Sequence, residues 1–431
     1  MKYFINTFFF CLLAVISIAQ QTPAPNQSQA IAILGATAHI GNGKVINNSL
    51  ITFDKGKITN VADATTIRID RGQFGKIIDA SGKHVYPGFI TANTRLGLIE
   101  IGAVGATRDA REIGYINPNL RAIVAYNTDS EVVPTVRSNG VLLAQIVPQG
   151  GRISGQSTVV ELDAWNWEDA AYKLEDGIHL NWPSISSWSW TTRSVSKNKD
   201  YDKQIKEVED YMAEAKAYVD NKSHSNINLK FEAMKGLFEG SKKLYIHTND
   251  IKTITQSVLI AKQYDLTPVI VGGRDSWMIT DFLKENKVAI LLHKTHDLPP
   301  REDADIDQPF KTAVALEKAG VLYAFHMDDE PMQERNLPFQ AGQAVGFGLD
   351  KEAAISALTL NTAKILGIDK TVGSLEIGKD ATLFISTGDA LDYRTNKVEA
   401  AFIRGKEISL DDKQKVLYRK YSEKYGHEIQ E

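Results

Sequence analysis

Three histidines in the last third of the chain are the first candidates for chemistry. His293, His296 and His326 lie near the ends of two predicted strands. Imidazole nitrogens can hold a divalent metal ion, which lowers the pKa of a bound water and polarises a carbonyl group. His293 and His296, however, are three residues apart on or after a strand, where residues at that spacing face opposite sides. The spacing therefore favours histidines that line a wall and form hydrogen bonds over histidines that bind a metal.

Two arginines suggest a different chemistry, the binding of an anion. Arg95 and Arg274 each come at the end of a predicted strand. Two guanidinium groups at one site would hold a carboxylate or a phosphate by paired hydrogen bonds. The same arginines would also suit an internal ion-pair network with nearby acidic residues, for which the candidates are Glu100, Asp275 and Asp328. The sequence leaves both interpretations open.

Tryptophan is concentrated in one region, where five tryptophans fall within the 26 residues 165–190. Gly177–Ser196 shows no regular pattern, which predicts a long loop. A loop of that length is usually a functional element or a lid, and exposed aromatic rings would suit a flat or sugar-like ligand. The alternative is that the tryptophans pack the loop back onto the fold. The sequence does not separate the two.

The elements that must position these residues change in character twice along the chain. From Ala30 to Tyr86 the segments are short and β-like, with glycine-containing turns between them. After Pro87, apolar runs typical of buried strands alternate with amphipathic helices such as Tyr201–Val219. Repeated strand–helix units favour a closed parallel sheet, and the competing open sheet lacks a glycine-rich phosphate turn after any strand.

The sequence therefore predicts an α/β protein with two structural units. One is a (β/α)8 barrel and the other is a small β-sandwich to which both ends of the chain contribute. The predicted ranges are residues 30–86 and 371–410 for the sandwich, 87–370 for the barrel and 411–431 for a C-terminal helix.

Composition excludes several classes of protein. With 43% hydrophobic and 24% charged residues the 431-residue chain is ordinary for a globular protein. The net charge is −4 and no basic stripe is present, which argues against nucleic acid as a partner. A single cysteine, Cys11, cannot form an internal disulfide.

The first 19 residues are predicted to be a signal peptide. Lys2 precedes an apolar run from Phe8 to Ile18, and the small residues Ser17 and Ala19 form a cleavage site. The run is shorter than the roughly 20 residues that span a membrane. We therefore expect an exported protein, periplasmic or secreted, with no stable membrane anchor after cleavage.

Two motifs resemble those of a known family. Residues 84–90 read HVYPGFI, and residues 359–367 read TLNTAKILG, followed at residues 373–381 by GSLEIGKDA. In order and spacing these resemble the signatures of the amidohydrolase superfamily, in particular its imidazolonepropionase-like branch with a composite β-domain. The resemblance covers about residues 30–408. It implies a barrel whose members usually hold one or two divalent metal ions with histidines and an aspartate.

The chain departs from that family pattern at the metal site. At the end of the first barrel strand Asn93 and Arg95 stand where the family has two histidines, and Gly272 stands at the histidine position of strand six. The resemblance does place His247 at the ligand position of strand five and Asp328 at the catalytic aspartate of strand eight. For strand four no candidate can be placed. Two retained groups are too few for a zinc site, which takes three or four protein ligands, so we expect no cofactor. The alternative is a divalent metal such as zinc in a site rebuilt with other ligands, for which the candidates are His293, His296 and His326.

By resemblance, the protein is expected to hydrolyse a carbon–nitrogen bond other than a peptide bond. Asp328 would be the general base, and His247 an acid, a hydrogen-bond donor or a lone metal ligand. The residues expected to contact a small-molecule substrate are Asn93, Arg95, Arg274 and His293. The alternative is an inactive pseudoenzyme that binds an anionic small molecule in the barrel mouth. A homodimer is a further expectation for which the sequence offers no interface.

Overall fold

The computed structural model describes residues 21–221, 223–299, 304–327 and 330–429. The predicted signal peptide and Asp328 lie outside the described residues. Within them the backbone forms two large sheets and one small hairpin.

The first large sheet is built from both ends of the chain. Eight strands of the described residues take part, in the order β18-β17-β16-β5-β1-β2-β3, with β4 paired to β1. A separate apolar cluster that includes Ile33, Phe53 and Phe402 packs on it. The layering of this unit as a sandwich, and its exact bounds, stay predictions. The strands are β1 Ile31–His39, β2 Val45–Asp54, β3 Lys57–Asp63, β4 Lys76–Asp79, β5 His84–Pro87, β16 Leu383–Ser386, β17 Val398–Ile403 and β18 Lys406–Glu407.

The second large sheet is an almost closed barrel. Its eight strands within the described ranges follow the order β15-β14-β13-β12-β9-β8-β7-β6. An isolated parallel bridge between Ala92 and His326 joins the first and last strands. The strands are β6 Phe89–Thr94, β7 Val141–Ile146, β8 Ile153–Glu161, β9 Ala171–Asn181, β12 Lys243–Thr248, β13 Val269–Gly272, β14 Ala289–Leu292 and β15 Tyr323–Phe325.

One strand corrects the expectation of an all-parallel barrel. β8 pairs antiparallel with both β7 and β9. The cause is the length of its connections, because the turn from Ile146 to Ile153 is too short for the crossover that parallel strands need. The last residue of β8, Glu161, therefore lies beside Leu143 near the start of β7. The other seven strands run in one direction, and their carboxyl ends form the barrel mouth.

Helices connect the parallel strands and cover the barrel. The predicted helix from Tyr201 is confirmed, and it buries Ile205, Val208 and Met212 on one face. Apolar residues over 351–366 are typical of one continuous helix, but the structure has two helices there, because Thr359 leaves helical geometry at φ −131° and ψ −92°. The helices are α1 Val132–Arg137, α2 Trp167–Ala170, α3 Tyr201–Asp220, α4 Leu229–Phe238, α5 Ile251–Lys262, α6 Thr280–Glu285, α7 Gln308–Ala319, α8 Leu337–Gly346, α9 Lys351–Leu358, α10 Leu360–Leu366 and α11 Lys413–Tyr425. No helix in the described part of the chain is long and apolar enough to cross a membrane.

The tryptophan-rich segment has more structure than the sequence indicates. Trp167 begins α2, β9 extends to Asn181, and a two-stranded hairpin of β10 (Ser186–Ser189) and β11 (Ser194–Lys197) follows. Trp182 is buried, whereas Trp188 and Trp190 on the hairpin are 51% and 85% exposed. The tryptophans therefore divide between packing and exposure, and a role of the hairpin as a lid stays a prediction.

Candidate functional site

Two histidines from neighbouring strands meet at the barrel mouth. His247 comes from near the end of β12, and His179 comes from β9, where it is in register with Tyr245, two residues before His247. His247 Nε2 lies 2.9 Å from His179 Nδ1, within hydrogen-bond distance. His179 is fully buried, whereas His247 keeps part of its surface exposed. His247 is thus the accessible member of the pair, with His179 behind it.

A buried polar network supports this pair from inside the barrel. The ring of His179 stacks on Tyr245 with centroids 4.6 Å apart. The Tyr245 hydroxyl donates to Asp176 Oδ2 at 2.7 Å, and Gln145 Nε2 donates to the same oxygen at 2.8 Å. Gln145 Oε1 in turn accepts from the backbone N–H of Asn93 at 3.1 Å. The network therefore ties the end of the first barrel strand to the strands that carry the two histidines.

Asn93 turns the end of β6 toward the mouth. Its φ of +54° lies in the left-handed region, which asparagine tolerates better than most residues. Its amide Nδ2 lies 3.4 Å from His326 Nδ1, and both side chains are buried. The structure therefore brings together Asn93, a predicted substrate-binding residue, and His326, which closes the barrel.

Arg274 and His293 meet at Asp297 in the adjacent part of the mouth. The rings of His293 and His326 meet edge to face at 5.9 Å. His293 Nε2 lies 3.0 Å from Asp297 Oδ2, and an Arg274 guanidinium nitrogen donates to the same oxygen at 3.2 Å. Arg274 therefore contacts Asp297, an acid that the sequence analysis did not consider. His296 lies apart from His293, against Phe310.

Burial keeps three histidines of the mouth, His179, His247 and His326, neutral. It lowers the pKa of His247 to about 4. Burial also holds the pKa of His179 well below its ordinary value, with a smaller effect of His247. For His326 burial again lowers the pKa, followed by the charges of His293, His247 and Arg95. At pH 7 these side chains are uncharged hydrogen-bonding groups beside two arginines.

The described side chains of the mouth do not fit the metal centre that the family implies. Among the residues that the structure describes, no group of three or more histidine, cysteine or acidic side chains could hold a metal ion. His247 Nε2 is already within hydrogen-bond distance of His179 Nδ1, so this nitrogen is engaged with protein. Arg95 adds a positive charge close enough to lower the pKa of His326, and that charge would also repel a cation.

Gly272, which the family resemblance places at a histidine position, ends β13 in a conformation that suits glycine. Its φ is +101°, and a Cβ at this position would lie 2.6 Å from Asn249 Oδ1. Any side chain there would need both a strained backbone and a shift of Asn249. The missing histidine is thus accompanied by a backbone conformation that suits glycine.

His179 is the residue that the sequence analysis missed. The signal was present, because Ile178, His179 and Leu180 alternate apolar and polar as a half-buried strand does. The tryptophans and serines that follow concealed where the strand ends. Asp328, the predicted general base, lies outside the described residues.

The arrangement is chemically suited to an anionic ligand with a polar group. Guanidinium groups bind carboxylates and phosphates, and neutral imidazoles donate or accept single hydrogen bonds. Within the described structure His179 Nε2 and His326 Nε2 are buried and make no hydrogen bond to protein. A base with a pKa of about 4, such as His247, binds protons only weakly at pH 7.

Several solved structures are similar to this chain in fold. An amidohydrolase from Thermotoga maritima MSB8 superposes with a TM-score of 0.75 at 23% identity, over 88% of this chain and 99% of that one. A structure described as molinate hydrolase gives a TM-score of 0.53 at 17% identity, over 89% and 95% of the two chains. A Xaa-Pro dipeptidase with bound methionine gives 0.55 at 15% identity, over 88% and 100%. At these identities the likeness shows the fold alone.

Sequence comparison reaches the same group of proteins. An imidazolonepropionase from Rhizobium rhizogenes is 23% identical over 397 residues, which are 86% of this chain and 95% of that protein. The family model described as "Amidohydrolase family" matches residues 147–408, more than half of the chain. The chain therefore belongs to the amidohydrolase family.

Proposed function

We propose that this protein is an exported hydrolase that cleaves a carbon–nitrogen bond other than a peptide bond in a small anionic substrate. The proposal further holds that it does so without the complete metal-ligand set of its family. The observation that carries it is the composition of the barrel mouth, where Arg95 acts by its charge on the neutral His326, and Arg274 contacts Asp297 beside His293. Family membership supports the hydrolytic class, and the name of the Rhizobium relative supports a cyclic amide as the substrate type.

The arginines would hold the anionic end of the substrate. Arg274 already binds the carboxylate of Asp297, and a substrate carboxylate presents the same chemistry to it. Arg95 directly follows β6 and affects His326 by its charge, so it belongs to the same electrostatic environment. Together they would orient the substrate with its amide toward the histidine pair.

Hydrolysis also requires groups that handle a proton and the carbonyl oxygen. His247 is neutral at pH 7, so it would serve as a hydrogen-bond donor to the carbonyl oxygen rather than as a strong acid. His179 would fix the ring orientation of His247 through their hydrogen bond. By its place in the family motif, Asp328 would take the proton from the attacking water.

A second candidate function is binding without catalysis. It is favoured by the low basicity of the histidines, whose lowered pKa values make them poor at activating water. In that case the mouth would recognise an anionic small molecule with the same residues and release it unchanged.

One experiment separates the two functions. Purified protein is analysed for metal content, loaded with zinc, manganese or nickel, and assayed on a panel of carboxylate-bearing cyclic amides. Hydrolysis that is lost in Asp328→Asn and reduced in Arg274→Gln supports the proposal. Calorimetric binding of a panel member without turnover supports the second function.

A matched variant controls for general loss of charge. Arg394 is an exposed arginine that pairs with Asp392 after β16, and Arg394→Gln should change neither binding nor turnover. Near-stoichiometric metal whose removal abolishes turnover would contradict the metal-independent part of the proposal. Export is tested separately by sequencing the amino terminus of the mature protein, which should begin after Ala19.

A further inference from the structure

A second cleft lies at the end of the barrel opposite the mouth. It has a volume of about 860 Å³, which is in the range of small-molecule sites. Glu161 lines it at the end of β8, and Tyr172 lines it near the start of β9. Because Glu161 sits beside the start of β7, the cleft is at the amino-terminal face of the parallel strands. The first sheet supplies the opposite wall, including Lys57 and Arg404.

The walls of this cleft carry more cations than carboxylates. Three ion pairs are already formed. Lys57 Nζ lies 2.5 Å from Asp380 Oδ1, Arg404 Nε lies 2.6 Å from Glu161 Oε1, and Arg404 Nε also lies 3.9 Å from Asp380 Oδ2. The charged residues that line the cleft are the cations Lys55, Lys57, Arg404 and Lys406 and the acids Glu161, Asp169 and Asp380. The surplus charge favours a negatively charged ligand.

Glu161 is a weak partner for Arg404. Its carboxylate is buried, with the residue only 3% exposed, while the side chain of Arg404 is 46% exposed. The contact is an ion pair in which Glu161 Oε1 makes no hydrogen bond within the described structure. Arg404 also lies over the ring of Tyr172, at 4.9 Å from the centroid. The guanidinium group is therefore held in place, and its exposed side can still contact an anion that enters the cleft.

The cleft also offers a surface for a ring. Trp165 lines it and is 57% exposed, which is high for so large an aromatic side chain. The hydroxyl of Tyr172 donates to Asp380 Oδ2 at 2.6 Å, which fixes the position of that ring. A bare phosphate or carboxylate ion would fill only a small part of 860 Å³. The space and the aromatic wall therefore suit an anion attached to a ring of sugar size.

We propose that this cleft is a binding site, separate from the barrel mouth, for a small molecule that carries a carboxylate or phosphate on a sugar-sized ring. Arg404 and Lys406 bind the anionic group, and Trp165 packs against the ring. The ligand anion takes the place of Glu161 as the partner of Arg404. This proposal does not depend on the function of the mouth.

Binding at this site is coupled to a proton. Burial raises the pKa of Glu161 to about 7 against the opposing charges of Arg404 and Lys406. A ligand anion beside Glu161 favours its protonated form, so the apparent affinity falls as pH rises and Glu161 ionises. From pH 6 to pH 8 the dissociation constant should increase about tenfold. Four charged groups affect the pKa of Glu161. Arg404 and Lys406 lower it, and Asp380 and Asp163 raise it.

The direct test is titration of the full protein followed by tryptophan fluorescence and calorimetry. The probes are glucuronate, glucose 1-phosphate, methyl glucoside and inorganic phosphate. Binding of glucuronate or glucose 1-phosphate, tighter than that of either methyl glucoside or inorganic phosphate, supports the proposal and identifies carboxylate or phosphate as the preferred anion. Equal binding of methyl glucoside, or no binding of any probe at pH 6, overturns it.

Variants then locate the site. Arg404→Gln should weaken binding at least tenfold, whereas Glu161→Gln should keep binding and abolish its pH dependence. Trp165→Phe should retain binding and lose most of the fluorescence change. Arg274→Gln, in the mouth, should leave the titration unchanged, and circular dichroism verifies the fold of each variant. A loss of binding in Arg274→Gln, or the same pH dependence in Glu161→Gln as in the parent, would contradict the proposal.

Discussion

Replacing Glu161 with glutamine should stabilise the protein at alkaline pH and leave it nearly unchanged in acid. The side chain is buried at the end of β8, where its environment favours the neutral carboxyl over the carboxylate. Glutamine has the same shape and no charge to bury. The substitution therefore removes the cost of ionisation while it preserves the packing between the barrel and the first sheet.

The size of the effect follows from the shift of the pKa of Glu161. Burial raises this pKa from an ordinary 4.5 to about 7 in the folded protein. Between these values the folded state binds more protons than the unfolded state, so the free energy of unfolding falls as pH rises and levels off above about pH 7. Each unit of pKa corresponds to about 1.4 kcal/mol, so the loss amounts to about 3 kcal/mol at full ionisation.

The assay is urea denaturation of the parent and of Glu161→Gln at several values from pH 5 to pH 9. The difference between the two free energies of unfolding should grow by about 2.5 kcal/mol from pH 5 to pH 9, in favour of the variant, because a small part of the loss already occurs below pH 5. Glu168→Gln, at an exposed position in α2, is the matched control and should show no such trend. A constant difference between Glu161→Gln and the parent at every pH would refute the reasoning.

Three further predictions concern the barrel mouth. Burial lowers the pKa of His247 to about 4, so the folded protein loses stability as pH falls below about 6.5, where the unfolded chain binds the proton more tightly. His247→Asn should reduce this decrease in the free energy of unfolding, measured in the same denaturation assay. Asn93→Ala should be less stable than Asn93→Gly by about 1 kcal/mol in thermal unfolding, because only glycine adopts the observed φ of +54° without strain. Gly272→His should lower the melting temperature and bring no zinc binding by calorimetry, since its Cβ would collide with Asn249; a stable zinc-binding variant would contradict this.

Much of the fold could be predicted from the sequence, because its signals are local or belong to motifs. The apolar residues at helical spacing along Tyr201–Asp220 are buried on one face, as the periodicity requires. His247 falls at the end of β12, where the motif placed it. The direction of β8 was not predictable from periodicity, because an alternating or apolar strand reads the same in both directions. The antiparallel direction of β8 follows from the short turn between Ile146 and Ile153.

The unpredicted parts of the site arise from contacts between distant residues. His179 and His247 are 68 positions apart, and their hydrogen bond exists because β9 and β12 pair in register. The contact between Asp297 and Arg274 likewise needs the ends of two neighbouring strands. No spacing rule within one segment reveals such partners. The break between α9 and α10 at Thr359 is of the same kind, since the non-helical backbone of Thr359 lies between two helices that each have ordinary helical composition.

The contacts around Gly272 and Asn93 bear on how the mouth would respond to the histidines that the family resemblance implies at strand positions nearby. At strand six, a histidine is opposed by the φ of Gly272 and by the position of Asn249. At strand one, the left-handed Asn93 is fixed through its backbone N–H to Gln145 and through its side chain to His326. Gln145 also donates a hydrogen bond to Asp176, which accepts a second one from Tyr245, and the ring of Tyr245 stacks on His179. A histidine restored at one of these positions would therefore disturb the network that orients the others. For this reason we expect single substitutions toward the family pattern to cost stability before they create a metal site.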